Sequence, residues 1–452
     1  MDNISAVILA AGEGTRMKSK TPKVLHKVVG KTMIKRVIDT AFNMGAGKIC
    51  VVVGHGGEEV KKSLEGFNVS FREQKEQLGT GHAVMQAVDF INDGDDIVVL
   101  YGDTPLIKAE TLKKFVYYHR SEGNSVSIVS AMVDNPEGYG HIIRDKNGSF
   151  VKNIEHKDAS AEEKLVNEIN TGIYCFKGKS LKKALGMLKN DNAQGEYYLP
   201  DTLAIILGFG EKVNAMAAQD VTEFLGVNNR VQLYEAESIM RGRINKELML
   251  NGVTILSPDN TYIDDGVEIG ADTVIYPGCV IEGNTIIGEN CAVGPNSRLT
   301  NMKISDNVQI QYTVAMDSEV GSGTKVGPFA YIRPNSKIGE NIKIGDFVEV
   351  KNSVIGNGTK VSHLTYIGDS DVGERINFGC GTITVNYDGK KKFRTTIEDD
   401  VFIGCNANLV APVTLHKGSY VAAGSTVTKD VPEKSLAIAR NRQQNIEGWT
   451  KK

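Results

Sequence analysis

The stretch "IGADTVIYPGCVIEGNTIIGENCAVG" (residues 269–294) decides the fold of half of this chain. An aliphatic residue returns every six positions, at 269, 275, 281, 287 and 293. The register continues at 299, then at 308, 314, 320, 326, 332, 338, 344 and 350. After a one-residue slip it runs through 355, 361 and 367, resumes at 372 with Phe378, and returns at 397, 403, 409, 415, 421 and 427. A period of six matches neither the 3.5 nor the 3.6 residues of a helix. It is the hexapeptide repeat of a parallel β-helix, in which three hexads close a triangular coil of ~18 residues. The aliphatic residue points into the prism. The residue after it is usually Gly, which is expected to allow the tight corner.

N-terminal to the repeat the texture differs. Over the first ~225 residues, short β-branched runs ("AVILAA", "KICVVVGH", "DDIVVLYGD", "SVSIVSAMV", "TGIYCFKG") alternate with helical patterns such as "MIKRVIDTAFNMG" and "TLKKFVYYHRSEG". That alternation predicts an α/β domain, a mostly parallel sheet covered on both faces. Residues 229–252 read as one long helix closed by Asn251-Gly252. The expected organisation is therefore 1–228, a linker helix at 229–252, and a β-helix with a C-terminal tail at 253–452.

Composition narrows the function classes. Of 452 residues, 24% are charged and 41% apolar, with a formal net charge of −3. That balance argues against general nucleic-acid or membrane-surface binding, but leaves small anionic substrates open. The apolar run Ala6–Ala11 is too short for a signal-peptide core, and no apolar stretch approaches ~18 residues. The six cysteines have no CxxC pairing and read as reduced thiols, so the expected location is the cytoplasm. The eight histidines include no HxxH or HxxxH pair, which leaves no zinc pattern.

"LAAGEGTRM" (9–17) follows the first strand and is joined by Lys23. It is not the dinucleotide fingerprint, because Met17 stands where the last Gly belongs, and it is not a P-loop. A glycine loop offering backbone N–H donors beside Arg16 and Lys23 suits a triphosphate, although both side chains read equally as solvated surface cations. "VVLYGDTPL" puts Asp103 at the C-terminal end of a buried strand, where open α/β sheets bind ligands. One carboxylate there can hold Mg²⁺, which keeps waters and phosphate oxygens as its other ligands; Asp103 also reads as a turn cap. "EQLGTGHA", "EGYGHI", "NIEHKD", "EINTG" and "LGVNN" are further polar loops, each alone more often a turn than a site.

Together and in this order, these motifs resemble the sugar-1-phosphate nucleotidylyltransferases over residues 4–229. The resemblance implies a Rossmann-like nucleotidyltransferase domain and attack of a sugar-1-phosphate oxygen on the α-phosphate of a nucleoside triphosphate. It implies that Leu9, Ala10, Ala11, Gly12, Lys23, Gln74, Gly79 and Thr80 hold the nucleotide, with Tyr101 and Gly102 among the nucleotide or sugar contacts. Gly140, Glu155 and Asn170 would meet the sugar, Asp103 and Asn228 would bind Mg²⁺, and Arg16 and Lys23 would stabilise the phosphates.

In the repeat, the position after the aliphatic residue breaks from Gly at Arg333 and Lys351, one coil apart. Stacked strands lie ~4.8 Å apart, so two cations are expected on one corner. Unrelieved, charges ~5 Å apart repel by roughly 3 kcal/mol at an effective dielectric of 20, and a bound dianion would turn that cost into a gain. His363 follows in "TKVSHLTYIGD" (359–369), with Tyr366 beside it and Asn377 one corner later. A lone histidine is more often structural. Near a phosphate site, with Glu349 on an adjacent coil to orient it, an imidazole is a candidate general base because histidine ordinarily titrates near neutral pH. "TVNYDGKKKFRTTI" (384–397) interrupts the hexads as a loop whose lysines either close over phosphate or form a solvated tip.

This half resembles the hexapeptide acyltransferases, a left-handed parallel β-helix family. The two halves in sequence are similar to the bifunctional N-acetylglucosamine-1-phosphate uridylyltransferase/glucosamine-1-phosphate acetyltransferase family, through "LAAGEGTRM", "EQLGTGHA", "EINTGI", "RPNSKI", "FVEVKNS", "SHLTYIGD", "GTITVNYDGKKKF" and "VFIGCNANLVAPV". That resemblance makes His363 the base for glucosamine-1-phosphate, with Arg333, Lys351, Tyr366, Asn377 and Lys392 binding the sugar phosphate. Cys380, Asn386, Tyr387, Cys405, Ala423 and Arg440 would line the acetyl-CoA site, with cysteines where such proteins often carry Ala or Ser. The co-substrates would be UTP and acetyl-CoA, and the product UDP-N-acetylglucosamine. A solenoid of this kind hides surface by packing side by side, so a homotrimer is expected. The only Trp, Trp449, reads equally as part of a loose terminus or as a contact to a neighbouring protomer. The main rival is a nucleotidylyltransferase of single activity whose β-helix only oligomerises. A spacer would not need Arg333, Lys351, His363 and the loop at 384–396. A non-catalytic scaffold is disfavoured by intact Arg16, Lys23 and Asp103.

Overall fold

The computed structural model describes residues 3–192 and 194–450. The chain divides into two compact units, Met1–Met240 and Arg241–Lys452, and the division falls inside the helix Arg230–Leu250.

The first unit is built on β1 (Ile4–Ala10), α1 (Met33–Met44), β2 (Lys48–Val53), β3 (Ser70–Glu73), α2 (Thr80–Met85), β4 (Asp96–Tyr101), α3 (Ala109–Ser121), β5 (Val126–Met132), β6 (His141–Arg144), β7 (Phe150–Ile154), β8 (Glu168–Lys177) and β9 (Val213–Ala217). The sheet order is β9-β5-β8-β4-β1-β2-β3, with β6 on β8 and β7 on β6. β1, β2, β3 and β4 pair in parallel, as strand–helix alternation predicts. β8, the "TGIYCFKG" strand, runs antiparallel to both β4 and β5. Every residue of β1 is buried, and they alternate between two cores: Ala6, Ile8 and Ala10 face one, Val7 and Leu9 the other. A strand covered on both faces reads as a nearly continuous apolar run; its one polar residue, Ser5, is buried and donates to Asp95 Oδ2 at 2.9 Å. The loops that carry Gly12 and Asp103 therefore leave a rigid sheet at the C-terminal ends of β1 and β4.

The second unit is the prism. Three parallel sheets of 11, 10 and 9 short strands wind around one core that takes in the inward aliphatic residues of every coil. Successive rungs pair in register: Ile275 with Val293, Ile332 with Val350, Phe378 with Ile403, Leu409 with Val427.

Two expectations need correction. The six-residue register fails between 299 and 320. Ile304, Ile310 and Ala315 are the inward strand residues, because Val293 pairs with Ile310 and Ile310 with Val326, across two turns that are each shorter than the regular one. Val314 is 40% exposed and Ala315 2%; Val308 is buried, but it precedes its strand rather than forming the rung. Second, the Gly after the aliphatic residue does not as a rule make the corner; Gly294 and Gly327, with φ of +106 and +98, are exceptions. The left-handed residue lies two places later and is commonly Asn or Asp, as at Asp272, Asn290, Asn341 and Asn406, residues that tolerate that conformation. The Gly is needed for close approach: a Cβ on Gly339 would come within 2.5 Å of Asn357 Oδ1 on the next coil.

Candidate active sites

The first site sits in the Met1–Met240 unit. A cavity of about 310 Å³ is lined by residues that include Leu9, Ala10, Ala11, Gly12, Lys23, Gln74, Gly79, Thr80, Tyr101 and Asp103. A second, of about 370 Å³, shares Thr80, Tyr101, Asp103 and Glu196 and extends to Gly140, Glu155, Asn170 and Asn228. Most residues expected to hold nucleotide and sugar thus line two adjoining cavities that meet at Thr80, Tyr101, Asp103 and Glu196. Gly102 lines neither; it is packed against Ile34 and Val24. Burial, with the charges of Asp103 and Glu155, raises the Tyr101 phenol well above its ordinary pKa, so it stays neutral.

Lys23 organises the shared edge. Its Nζ contacts Asp103 Oδ2 and donates to Asn228 Oδ1 at 3.1 Å, while Arg16 Nη2 donates to the same Asn228 oxygen at 3.0 Å. Two side-chain oxygens, one anionic, converge where a cation already sits. This hard-oxygen pair fits Mg²⁺, and no cluster of three or more His, Cys, Asp or Glu suited to a metal occurs among the described residues.

The sugar end is a hydrogen-bonded chain. Asn170 Nδ2 donates to Asn153 Oδ1 at 3.1 Å and stands 2.8 Å from the buried Tyr174 hydroxyl; Asn170 N donates to Gly140 O at 2.8 Å. Glu155 packs so close to Gly140 that a Cβ there would lie 3.0 Å from Glu155 Oε1. Burial, then the carboxylates of Asp201 and Asp158, push the Glu155 pKa up despite a bond to Asn153.

In the second unit, His363 ends the strand Lys360–His363, in register with Asp346 on the preceding coil. The two side chains meet at 2.7 Å, Nδ1 to Oδ1. The carboxylate only accepts, so the imidazole carries its proton on Nδ1 and presents the Nε2 lone pair outward. This corrects the expected orienter: Glu349 takes Arg333 Nη1 at 2.7 Å and leaves His363 alone. Contact with His363 holds the Asp346 carboxyl below its ordinary range.

Arg333 and Lys351 do stack, as Ile332 pairs with Val350 and Arg333 N donates to Val350 O at 2.8 Å. Their mutual repulsion is already relieved, because each has its own carboxylate: Arg333 has Glu349, and Lys351 Nζ lies 3.1 Å from Asp369 Oδ2. The unbalanced charge is instead Lys392 from the loop, whose pKa is lowered by contact with the Lys351 ammonium. Asp369 also accepts from Asn352 at 2.6 Å and Asn386 at 2.5 Å; burial opposes its ionisation, yet these bonds and Lys351 keep its pKa low. The Tyr366 ring lies across Gly368, where any Cβ would collide with it. Arg333, Lys351, Tyr366, Asn386 and Lys392 therefore form one group.

His363 does not join that group within one chain. It lies before the corner leading into the strand Tyr366–Gly368, whereas Arg333 and Lys351 lie at the far ends of their strands on that face. Asn377 is placed on the His363 side, pairing with Lys360 and Phe402. Cys380, Cys405 and Ala423 continue that column, as the pairings Val361–Phe378, Phe378–Ile403 and Ile403–Val421 require, and Arg440 reaches Gly424 at its end. Tyr387 is exposed, its hydroxyl bonded to Gly389 O at 2.7 Å. Trp449 is 78% exposed.

Sequence reasoning missed Asp346 and Asp369. Both carried a signal, one coil before His363 and one coil after Lys351, the spacing that located the Arg333–Lys351 pair. Gln77, which lines the first cavity, and Glu196, which lines both, carried none.

A nucleotidyl transferase family profile matches residues 5–222, and a bacterial transferase hexapeptide (six repeats) profile matches 266–301, 317–352 and 394–429. A protein of Acetivibrio thermocellus named bifunctional protein GlmU is 54% identical over 99% of this chain and 97% of its own length. Proteins of the same name from Clostridioides difficile and Clostridium perfringens are 53% and 56% identical over 100% of this chain, and over 98% and 99% of their own. A solved putative glucose-1-phosphate thymidylyltransferase of Bacillus anthracis aligns with 52% of this chain and 94% of its own at 21% identity and a TM-score of 0.45. With both domain profiles in order and relatives matched along its whole length, the chain belongs to the bifunctional GlmU family.

Proposed function

We propose that this chain makes UDP-N-acetylglucosamine by two transfers, one in each unit. The observation that carries the reading is the pairing of His363 with Asp346 in the second unit, together with the contacts of Lys23 to Asp103 and Asn228 at the cavities of the first. A spacer that only oligomerises has no use for an imidazole held in one tautomer.

In acetyl transfer, His363 Nε2 removes a proton from the amine of glucosamine-1-phosphate. The amine nitrogen bonds to the thioester carbonyl carbon of acetyl-CoA, the carbon–sulfur bond breaks, and CoA leaves as a thiolate that takes up a proton. Arg333, Lys351 and Lys392 hold the sugar phosphate, and the Cys380–Cys405–Ala423 column with Asn386, Tyr387 and Arg440 receives acetyl-CoA. Because His363 and the cations occupy different corners of one prism, the complete site joins one protomer's His363 to a neighbour's cations in a homotrimer.

In uridylyl transfer, an oxygen of N-acetylglucosamine-1-phosphate attacks the α-phosphorus of UTP and the bond to the β-phosphate breaks, releasing pyrophosphate. Lys23 and Arg16 offset the charge of the triphosphate; Gln74 and Gly79 hold the base; Gly140, Glu155 and Asn170 hold the sugar. Asp103 and Asn228 would hold Mg²⁺, which when bound supplies further neutralisation of phosphate charge.

The test is a product assay with acetyl-CoA, glucosamine-1-phosphate, UTP and Mg²⁺, each omitted in turn. His363→Ala should abolish acetyl transfer and spare uridylyl transfer, and Asp103→Ala should do the reverse. Equal loss of both activities in either variant would overturn the assignment of separate sites.

A further inference from the structure

Gln74 is 4% exposed and lines the cavity assigned to the nucleotide. Its Nε2 donates to Gly79 O at 3.1 Å and stands 3.1 Å from His82 Nδ1. On the other side of the ring, Gln86 Nε2 stands 3.1 Å from His82 Nε2 and donates to His82 O at 3.1 Å. Carbonyl oxygens only accept, so each glutamine has its nitrogen end fixed by the backbone. A neutral imidazole accepts at one nitrogen and donates at the other; a protonated one accepts at neither. His82 cannot take a hydrogen from both amides, so one glutamine must turn.

Gln86 lies just beyond α2 and is partly exposed, so water can replace the bond it gives up. Gln74 is buried, and turning it would set its carbonyl against that of Gly79. The lower-energy arrangement leaves Gln74 in place. His82 then carries its proton on Nε2, donates to Gln86 Oε1, and accepts from Gln74 at Nδ1. Both amide hydrogens of Gln74 are spent inside the protein. Its Oε1 accepts no hydrogen bond within the described residues and is not enclosed, which leaves it open to the cavity.

We propose that His82 is a positioning residue for nucleobase selection: together with Gly79 O it holds Gln74 with a bare acceptor toward the base, favouring an edge that offers a ring N–H, as N3–H of uracil does, over one that offers a lone pair there, as N3 of cytosine does. This rests on the nucleotide reading of the cavity.

The test compares uridylyl and cytidylyl transfer to N-acetylglucosamine-1-phosphate by the full chain with Mg²⁺, reading pyrophosphate release. In His82→Ala the Gln74 amide keeps Gly79 O but loses its second acceptor, which loosens its orientation, and the UTP:CTP ratio of kcat/KM should fall about tenfold, the equivalent of ~1.4 kcal/mol. KM for the sugar phosphate and the rate of acetyl transfer should hold. An unchanged ratio overturns the proposal. Independently of any folding defect in the variant, ¹⁵N-histidine spectra of the wild-type chain should show His82 protonated on Nε2, and protonation on Nδ1 overturns it. If the wild-type chain does not prefer UTP to CTP, the nucleotide reading itself has failed. If it does and His82→Ala keeps that preference, only the role of His82 has.

Discussion

His363 Nδ1 and Asp346 Oδ1 lie 2.7 Å apart on adjacent coils, and Asp346, not Glu349, sets the imidazole's tautomer. Replacing Asp346 with Asn removes the charge that favours the Nδ1–H form and the imidazolium formed during proton transfer. Acetyl transfer should lose about a hundredfold in kcat, within the range general-base catalysis contributes, with little change in KM. Uridylyl transfer by the same preparation should be unaffected.

Glu349 predicts a contrasting result, because its partner is the Arg333 guanidinium. Glu349→Gln frees Arg333 to move and should alter KM for glucosamine-1-phosphate by a few-fold. The pH profile of kcat for acetyl transfer should not shift. A profile shift matching that of Asp346→Asn would return Glu349 to the role of orienter.

Glu155 should show stability spent on function. Its pKa is raised in the folded chain above the ordinary 4.5, first by burial and then by Asp201 and Asp158. A carboxyl raised on folding favours the protonated form, so its ionisation destabilises the fold above the folded pKa, and this penalty disappears below the unfolded one. Glu155→Gln should therefore raise the Tm of the first unit at neutral pH, and the difference from wild type should shrink as pH falls through the carboxylate range. The same variant should lose uridylyl transfer through a higher KM for N-acetylglucosamine-1-phosphate.

Gly368 predicts a packing effect at the phosphate group. A methyl there collides with the Tyr366 ring, and the ring must swing away. Gly368→Ala should raise KM for glucosamine-1-phosphate about tenfold while leaving KM for UTP unchanged. Gly66 is a useful contrast. A Cβ there would meet nothing within 4 Å, but its φ is +91, so Ala strains the backbone without touching either site.

The hexad period, the strand–helix alternation and the stack of Arg333 on Lys351 were legible in the sequence because each is a local repetition: side chains at a fixed interval share a face whatever lies elsewhere in the chain. The same logic, carried one coil further, reaches Asp346 from His363 and Asp369 from Lys351. The register between Val293 and Val326 was not legible, since two shortened coils keep the inward position filled with Ile310 and Ala315 while the aliphatic pattern suggests Val314. Only the tertiary structure decided which charges pair. Long side chains choose among several partners within reach, and the choice depends on where the backbone aims them. That choice gave Glu349 to Arg333, set Asp346 against His363, and put His363 and the cations at different corners of the prism. It also trapped His82 between two glutamines, one of them carried in from the end of β3.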